Sequence, residues 1–501
     1  MTSVASPGTG VIQEPIPDPR PKVARSQAYL LLAQVARVVL FLLVTRQLGR
    51  AMDAADFGFF ALVSTLFALA LQVMDMGSTA VATRQIGQQP GIQRELLEAL
   101  LGWRLLLGAL MALGCLLLAL FGPAQDRYER AVLAVAAIGF LLLHHSTYYV
   151  VFQLRQEFGK PLLLGLGSQV GFLLASLLLL WMHVAGVVVA LLVVVREIVQ
   201  VWGSRLIAIR ALGYRLRPRL RSPALRALLR TAWAFGLCAV IYKLAFHGGT
   251  FFVWALEPPD ALGTLSATLR LFSPVIDTAW LFVTPLIVGM SVAARSDLAV
   301  FREQLAAYVC LLLGVAGLLA VCGYILAPTL LWMLYGDRYV LGALSSVLTF
   351  QWFSAATALS LITPVPVIAM LAQHREKELL WISAVGLGLN VIVCAWAIPR
   401  YGAAGAGMAT FATEASILTG LLARLHLTGD WRLSPRLAAH LLPAGLLAVA
   451  LLALAPHPHL RLPMAVLVGS VSVLAMWMIP SQKKRRLGIH PSAMSLANDP
   501  P

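Results

Sequence analysis

Charged side chains are scarce in this chain. Asp, Glu, Lys and Arg together make up 12% of its 501 residues, whereas 59% of the residues are hydrophobic. The mean hydropathy is +0.83. A soluble protein of this length needs far more polar surface, so the composition excludes a soluble globular domain. We predict an integral membrane protein.

Cysteine is also rare, and the sequence has few features of a metal or cofactor site. The five cysteines lie in apolar runs without a C-x-x-C pair, which excludes a disulfide framework and a zinc site. His144 and His145 are adjacent, so they face different sides of a helix, and no supporting ligand stands at a suitable spacing. The chain has no GxxxxGK[ST] phosphate-binding loop. We therefore predict no metal and no cofactor.

Acidic residues are outnumbered by basic ones, 22 to 38, giving a formal net charge of +16. In a soluble protein this excess would suggest binding to nucleic acid. No basic patch here has the interleaved aromatics or the fold motif of a nucleic-acid module. In a membrane protein, the excess indicates Lys and Arg retained on the cytoplasmic side. Nucleic acid is not a predicted partner, whereas membrane lipids are.

Long hydrophobic segments dominate the sequence. A membrane-spanning helix needs about 20 mostly apolar residues, and this length divides the chain into fourteen spans joined by short connections. The approximate spans are 27–48, 57–75, 98–121, 129–152, 160–182, 184–204, 231–252, 264–291, 306–334, 342–371, 379–399, 403–424, 437–455 and 462–480. An even number of spans places both termini on one side. The basic stretches "RPKVAR" and "SQKKRRLG" predict that this side is the cytoplasm.

The spans form two blocks of six, at 27–204 and 231–424, with two further helices at 437–480. A basic linker, residues 205–230, joins the blocks, and we expect it to lie along the inner leaflet with its arginines near anionic headgroups. The polar, proline-rich residues 1–26 are predicted to be a disordered cytoplasmic segment without a signal peptide. Residues 481–501 are predicted to be a cytoplasmic tail.

The second helix of each block has a similar sequence. "DAADFGFFALVSTLFALALQVMD" in the first block and "PPDALGTLSATLRLFSPVID" in the second both start near an aspartate, have a glycine a few residues later, and end on an aspartate, Asp75 or Asp277. Same-direction repeats of this kind are typical of transporters with a substrate path between two bundles.

Several cations lie inside predicted spans, where a charge costs roughly 3 kcal/mol on insertion scales. Arg37 in the first span has Gln34 one turn before it on the same face. Lys243 and His247 share a face of the seventh span. Such residues are functional by default, although an ion pair that only fixes helix packing is the alternative.

The eighth span carries two opposite charges. Arg270 and Asp277 are close to two turns apart and therefore share a face. Asp277 could orient Arg270 or keep an empty site neutral. Pro274 and Pro285 in this span, and Pro364 and Pro366 in the tenth, are expected to bend their helices.

Three other charged positions allow two interpretations. Asp75, near the inner end of the second span, could cap the following loop or act in gating. Glu414 and the Arg196–Glu197 pair occupy similar depths in corresponding helices, so they could form polar contacts across the blocks or a proton site. Pairing of Arg196 with Glu197 or Gln200, as a structural contact, is the slightly favoured alternative.

The stretch "RQLGRAMDAADFGFFALVSTLFALALQVMDMGSTAVATRQI" resembles the opening of bacterial polysaccharide (O-antigen) flippases of the Wzx type, in the polysaccharide transporter family. The shared features are a leucine-glycine step, a short acidic loop ending in glycine, and a D-x-G step after the second helix. "LYGDRY" and "RYGAAGAGMATFATE" extend the resemblance to roughly residues 25–430.

The resemblance implies an all-α integral membrane fold of the multidrug/oligosaccharidyl-lipid/polysaccharide exporter superfamily, with about 14 transmembrane helices. Two six-helix bundles related by pseudo-two-fold symmetry would carry two extra C-terminal helices, as in MATE exporters and MurJ. It further implies a flippase in the bacterial inner membrane, working by alternating access in O-antigen, capsule or exopolysaccharide biosynthesis. The implied substrate is a polyprenyl-pyrophosphate-linked oligosaccharide. Implied partners are a coupling ion, H⁺ or Na⁺, and the polysaccharide polymerase and chain-length machinery.

In this family, the first, seventh and eighth helices line the cavity between the bundles, so the resemblance implies that Arg37, Lys243 and Arg270 bind the pyrophosphate. Arginine N–H donors would replace the hydration that the pyrophosphate loses. One departure is that family members often carry an aspartate on the seventh helix, where this chain has Lys243 and His247. Cation coupling is therefore not carried over to this helix.

Two other functions, a drug antiporter and a membrane enzyme, fit the sequence less well. A MATE-type drug/cation antiporter needs an acidic cavity, and the charges within the spans are of both signs. A membrane enzyme such as a sugar polymerase, ligase or glycosyltransferase needs a sizeable outer loop, which the short predicted connections do not provide. We therefore predict a transporter and not an enzyme.

Overall fold

The computed structural model describes residues 20–429, apart from 124–126, 156, 158, 185, 221, 284–289, 291–292, 295 and 343–344. Every regular element among the described residues is a helix. The predicted spans 437–455 and 462–480, the tail 481–501 and Pro285 lie outside the described residues.

The first block contains eight α-helices. They are α1 (Arg20–Ala51), α2 (Ala54–Asp75), α3 (Ser78–Gln88), α4 (Gln93–Phe121), α5 (Arg127–Leu142), α6 (Tyr149–Arg155), α7 (Gly159–Trp181) and α8 (Gly186–Leu212). A 3₁₀ turn, Leu143–Tyr148, joins α5 to α6 within the predicted fourth span. Helix α3 is a short element between the second and third spans.

The second block follows the same plan. Its helices are α9 (Pro223–Leu256), α10 (Pro259–Val283), α11 (Leu298–Tyr335), α12 (Val347–Ile362), α13 (Pro364–Ala372), α14 (Glu376–Tyr401) and α15 (Ala403–Leu427). The tenth span is divided into α12 and α13 at Thr363, immediately before Pro364, where the sequence predicts a bend. Helix α10 continues through Pro274.

The protein is a multi-pass membrane protein. In the described part of the chain, nine helical segments are long and apolar enough to cross a membrane. Helices α1, α8 and α10 coincide with the other predicted spans. Each predicted span from 27–48 to 403–424 therefore corresponds to a helix or to a helix pair.

Each block is a bundle of six membrane spans, and the two bundles have the same pattern of helix pairing. In the first bundle, α1 packs on α7, α4 on α5, and α8 on both α5 and α7. In the second, α9 packs on α14, α11 on α12, and α15 on both α12 and α14. Numbered by span, these are the same four pairings, as expected for two repeats that run in the same direction.

Two predicted boundaries differ from the structure. Residues 1–26 were expected to be disordered, but α1 begins at Arg20; Pro21 is compatible with a first helical turn because that position needs no N–H donor. The predicted linker 205–230 is largely helical, because α8 continues to its end beside Gly213, which has a φ of +76°. Helix α9 then begins at Pro223, after the N-cap Ser222.

The non-helical part of the linker is fastened to the first bundle. Glu98 of α4 is 1% exposed. Its carboxylate forms ion pairs with Arg219 of the linker at 3.0 Å and with Arg94 at 3.2 Å. A Cβ on Gly102 would lie 2.5 Å from the carbonyl oxygen of Arg219, so only glycine allows this approach. These contacts hold the linker against the start of α4.

The bundles meet backbone to backbone at the first turns of α2 and α10. A Cβ on Gly263 would lie 2.2 Å from the carbonyl oxygen of Ala54, and a Cβ on Gly58 would lie 2.6 Å from the Gly263 nitrogen. Both helices begin on the predicted outer side of the membrane. The glycine pair therefore closes the path between the bundles at that end.

Polar and aromatic contacts strengthen this outer closure. Arg338 pairs with Asp53 at 3.2 Å and donates to the Met52 carbonyl. Beneath these contacts, the rings of Phe57, Tyr335 and Tyr339 pack together, with centroid distances between 5.3 and 6.4 Å. Burial raises the pKa of Tyr339 to about 12, so its hydroxyl stays neutral.

Candidate functional site

A cavity of about 1000 Å³ lies between the bundles, inward of the outer closure. Its wall runs from Ala61 to Asp75 on α2 and from Ser266 to Asp277 on α10. It therefore extends from the closure toward the predicted cytoplasmic end of both helices. Helices α1, α3, α4, α6, α7, α8 and α9 and the 3₁₀ turn before α6 supply the rest of the lining.

Most of the predicted site residues line this one cavity. They are Gln34, Arg37, Asp75, Lys243, His247, Arg270 and Asp277. Two predicted residues are not part of the lining. Pro274 lies between the lining residues Ser273 and Asp277, and Glu414 lies in the interior of the second bundle.

Arg270 is the most deeply placed of the predicted pyrophosphate ligands, with 7% of its surface exposed. Its guanidinium lies 4.2 Å from the ring centroid of Phe60 and donates to the Ser64 hydroxyl at 3.0 Å. In the part of the chain that the structure describes, Arg270 has no carboxylate partner. An aromatic face attracts a cation without neutralising it, so no described neighbour of Arg270 offsets its charge.

Arg37 is held at the α1 side of the cavity by an amide. Its guanidinium donates to the side-chain oxygen of Gln34, and the amide nitrogen of Gln34 donates to the Thr278 hydroxyl at 3.0 Å. This chain of contacts joins α1 to α10. Among the described residues, no carboxylate pairs with Arg37.

Lys243 of α9 pairs with Asp277 of α10 at 3.4 Å between Nζ and Oδ1. The expectation that Asp277 orients Arg270 is therefore wrong. The two residues share a face of α10, but seven residues separate them by about 10 Å along the helix axis. The long Lys243 side chain reaches Asp277 from the adjacent helix instead.

Asp75 joins a network that the sequence analysis missed. Arg104 of α4, 2% exposed, pairs with Asp75 at 2.7 Å and also donates to the hydroxyls of Ser78, Thr79 and Ser146. Arg104 lies within the predicted span 98–121, and a charge inside a span was the signal that could have identified it.

Asp75 also caps the next helix. Its carboxylate accepts the backbone N–H of Thr79 at 3.3 Å, across the left-handed residues Met76 and Gly77 that separate α2 from α3. Of the two interpretations offered for Asp75, capping is therefore the one the structure contains. A role in gating stays a prediction.

Arg196 and Glu197 of α8 bind each other, as the structural interpretation expected. The second partner of Arg196 is Gln169 of α7, at 3.2 Å, and not Gln200. Both charged residues line the cavity.

A stacked pair of rings connects the guanidiniums of the two bundles. Phe60 of α2 and Phe172 of α7 stack with centroids 5.9 Å apart and ring planes at 15°. Arg270 lies over Phe60 at 4.2 Å, and Arg196 lies over Phe172 at 5.4 Å. The order Arg270–Phe60–Phe172–Arg196 places cations from opposing bundles at either end of one aromatic stack.

Glu414 of α15 does not contact the Arg196–Glu197 pair. It is 2% exposed and accepts a hydrogen bond from the Thr363 hydroxyl at 3.3 Å. The predicted contact across the blocks is therefore wrong, because Glu197 faces the cavity whereas Glu414 faces the helix break inside its own bundle. A proton site at Glu414 stays a prediction.

The described lining has an excess of positive charge. It carries five cationic side chains, Arg37, Arg104, Arg196, Lys243 and Arg270, and three carboxylates, Asp75, Glu197 and Asp277. Each carboxylate is paired with a cation: Asp75 with Arg104, Glu197 with Arg196, and Asp277 with Lys243. Arg37 and Arg270 remain, and both can donate paired N–H groups to an anion.

Residues 23–273, half of the chain, match the family described as "Polysaccharide biosynthesis protein". The chain belongs to this family. The matched region contains the whole first bundle, the linker, α9 and the first half of α10, and therefore most of the cavity lining. The search of curated protein sequences found no match to this chain.

Solved structures share its fold. The lipid II flippase MurJ, in an inward closed conformation, is 12% identical with a TM-score of 0.67, covering 89% of this chain and 99% of that chain. The Vibrio cholerae MATE transporter VcmN is 17% identical with a TM-score of 0.52, covering 81% and 97%. A further match is a transporter of the multidrug/oligosaccharidyl-lipid/polysaccharide exporter superfamily from Pyrococcus furiosus, with 16% identity, a TM-score of 0.50, and coverage of 82% and 97%.

Proposed function

We propose that the chain is a Wzx-type flippase of the bacterial inner membrane. It moves a polyprenyl-pyrophosphate-linked oligosaccharide from the inner to the outer leaflet, for the synthesis of a surface polysaccharide. The observation that carries this proposal is the pair Arg37 and Arg270, which face one cavity and have no carboxylate partner among the residues that the structure describes. Membership of the polysaccharide biosynthesis family and the shared MurJ and MATE fold support it.

The chemistry of the substrate explains why this pair is suited to it. A pyrophosphate must give up much of its water to leave the membrane surface, and guanidinium N–H groups replace that water in fixed directions. Arg37 lies on the first bundle side and Arg270 on the second, so one anion can contact both bundles. Lys243, paired with Asp277, supplies a third positive charge when the anion competes for it.

The place where the bundles touch supports alternating access. The cavity lies inward of the Gly58–Gly263 contact, so the substrate is accepted from the predicted cytoplasmic side. Release to the outer leaflet requires α2 and α10 to separate at this contact and the Arg338–Asp53 pair to break. The polyprenyl tail remains in lipid while the headgroup crosses through the cavity.

The alternative, a MATE-type drug/cation antiporter, fits the lining less well. A cationic drug needs a carboxylate that is free to pair with it, and the three carboxylates of the described lining are already bound to cations. The excess charge is positive, which repels a cation. Drug transport is therefore the alternative result that the deletion experiment below distinguishes.

The test is complementation in the source bacterium. Deleting the gene should trap lipid-linked repeat units on the inner face without changing drug sensitivity. Arg270→Gln and Arg37→Gln should fail to restore surface glycan, although the protein remains in the membrane. The matched control is Arg400→Gln, since Arg400 is exposed and outside the cavity lining. Full export by the Arg37→Gln/Arg270→Gln double variant, or drug accumulation with normal glycan in the deletion strain, would refute the proposal.

A further inference from the structure

We infer that the first bundle carries a sugar-binding subsite, separate from the pyrophosphate-binding cations and selective for neutral sugars. The subsite is formed by Tyr149, Gln169 and Gln200, called here the amide wall. The inference rests on the proposed function, because it assigns the second half of the proposed substrate to a second part of the cavity.

The amide wall is formed by lining faces of three neighbouring helices. The α7 face follows the spacing of a helix, with Pro161, Leu162, Gly165, Leu166 and Gln169 in the lining. Gln200 of α8 lies over Gly165, where a Cβ would be 3.8 Å from the amide nitrogen. Gln169 is one turn beyond Gly165 on the same face of α7, about 6 Å along the helix axis, so Gln169 and Gln200 line the same part of the cavity.

The amides retain hydrogen-bonding capacity. Arg196 donates to the side-chain oxygen of Gln169, which leaves the two N–H donors of that amide for a ligand. The Gln200 amide hydrogen-bonds to the Tyr149 hydroxyl, and the remaining groups of that amide stay available to a ligand. An amide offers donors and an acceptor together, which matches hydroxyl and acetamido groups, and a tyrosine ring adds an apolar face with a polar tip.

The charge of the amide wall selects among sugars. The charged side chains next to it, Arg196 and Glu197, bind each other, so the wall has no net charge. By contrast, the cations Arg37, Lys243 and Arg270 come from α1, α9 and α10. A molecule that joins a diphosphate to a neutral sugar fits these two surfaces, whereas an acidic sugar would have to displace Glu197 from Arg196 before it gained a cation.

The experiment compares three probes on the purified full-length chain in lipid nanodiscs, by calorimetric titration. The probes are farnesyl diphosphate, farnesyl diphosphate carrying N-acetylglucosamine, and farnesyl diphosphate carrying glucuronic acid. Because the sugar gains neutral hydrogen bonds to the amide wall, the N-acetylglucosamine probe should bind the wild type at least about tenfold more tightly than farnesyl diphosphate. The glucuronic acid probe should not share this gain.

Substitutions then assign the gain to the amide wall. Gln169→Leu and Gln200→Leu should each reduce it several-fold, and together abolish it, without changing the affinity for farnesyl diphosphate. Gln351→Leu is the matched control: Gln351 is an amide of α12 that donates to the Tyr324 carbonyl outside the cavity lining. This variant should keep the full gain.

The outcomes separate this inference from the proposed function. Arg270→Gln should weaken all three probes equally and leave the gain intact. Wild-type binding of farnesyl diphosphate without any gain from the sugar overturns the amide wall and leaves the flippase proposal standing. A gain that survives in the Gln169→Leu/Gln200→Leu variant, or that Gln351→Leu also removes, overturns it as well. A larger gain from glucuronic acid overturns the selectivity for neutral sugars, and a wild type that binds no probe contradicts the proposed function itself.

Discussion

Lys243 and Asp277 form an ion pair across α9 and α10, with 3.4 Å between Nζ and Oδ1. This pair leaves Arg270, two turns away on α10, in contact with an aromatic ring and a serine hydroxyl instead of a carboxylate. We call Lys243 a masked cation because it is paired with a carboxylate. Arg270, on the neighbouring helix, is an unmasked cation because no described carboxylate pairs with it. Asp277 therefore pairs with Lys243, whereas the sequence led us to expect that it orients Arg270.

Removing the mask should strengthen anion binding. In Asp277→Asn, Lys243 loses its carboxylate partner and becomes available, so farnesyl diphosphate should bind several-fold more tightly, as titration would measure. Transport should slow, because the same anion is released less easily. Asp297→Asn, at the N-cap of α11 and outside the cavity lining, is the control. Weaker binding in Asp277→Asn would contradict the masking role.

Arg104 should matter for stability more than for binding. Arg104→Leu leaves Asp75 and three hydroxyls without their shared donor, and we expect a loss of about 2–4 kcal/mol in the free energy of unfolding. Thermal unfolding in detergent would show this as a lower Tm. Arg84→Gln, on the exposed side of α3, should unfold as the wild type does. An unchanged Tm for Arg104→Leu would show that the network does not hold α2, α3 and α4 together.

The outer closure depends on the absence of side chains at two positions. Gly263→Val places a branched side chain against the Ala54 carbonyl and should force α2 and α10 apart. Spin labels on the first turns of these helices would report a longer distance and a larger open population. Gly114→Val has no atoms within 4 Å of the new Cβ and serves as the control. An unchanged distance distribution in Gly263→Val would mean that the bundles close by another contact.

The linker should be released when its anchor is removed. Glu98→Gln breaks the ion pairs to Arg219 and Arg94, and the segment from Arg215 to Leu220, whose arginines are exposed, should then be cut faster by trypsin. Glu157→Gln, which removes an exposed pair with Lys160, should leave the cleavage rate unchanged. Equal rates in both variants would show that the linker is held by its backbone contacts alone.

The sequence could predict the spans because length and apolarity in a bilayer leave few alternatives to a helix. It could also predict that Arg37, Lys243 and Arg270 face a common space, since a buried cation needs polar surroundings and the family resemblance names the helices that line the cavity. Partners across helices were harder to predict. The periodicity of α10 places Arg270 and Asp277 on one face, but the rotation of α9 against α10 decides that Lys243 reaches Asp277 first.

Two parts of the site had signals that were weak or misread. Arg104 lies near the inner end of its span, where arginines are common, so its burial against Asp75 did not stand out. The Phe60–Phe172 stack joins positions more than a hundred residues apart, and a phenylalanine in a membrane helix is ordinary. Equivalent depth in the two repeats suggested a contact between the Arg196–Glu197 pair and Glu414, but depth does not determine which side of a helix faces the cavity.

The most direct test of the account is the affinity of the purified chain for farnesyl diphosphate when both unmasked arginines are replaced. We predict that Arg37→Gln/Arg270→Gln binds it at least about 100-fold more weakly than the wild type, as expected for two lost charged hydrogen-bond donors of about 1.5 kcal/mol each, while Arg400→Gln binds it normally. An affinity in the double variant equal to that of the wild type would contradict the account.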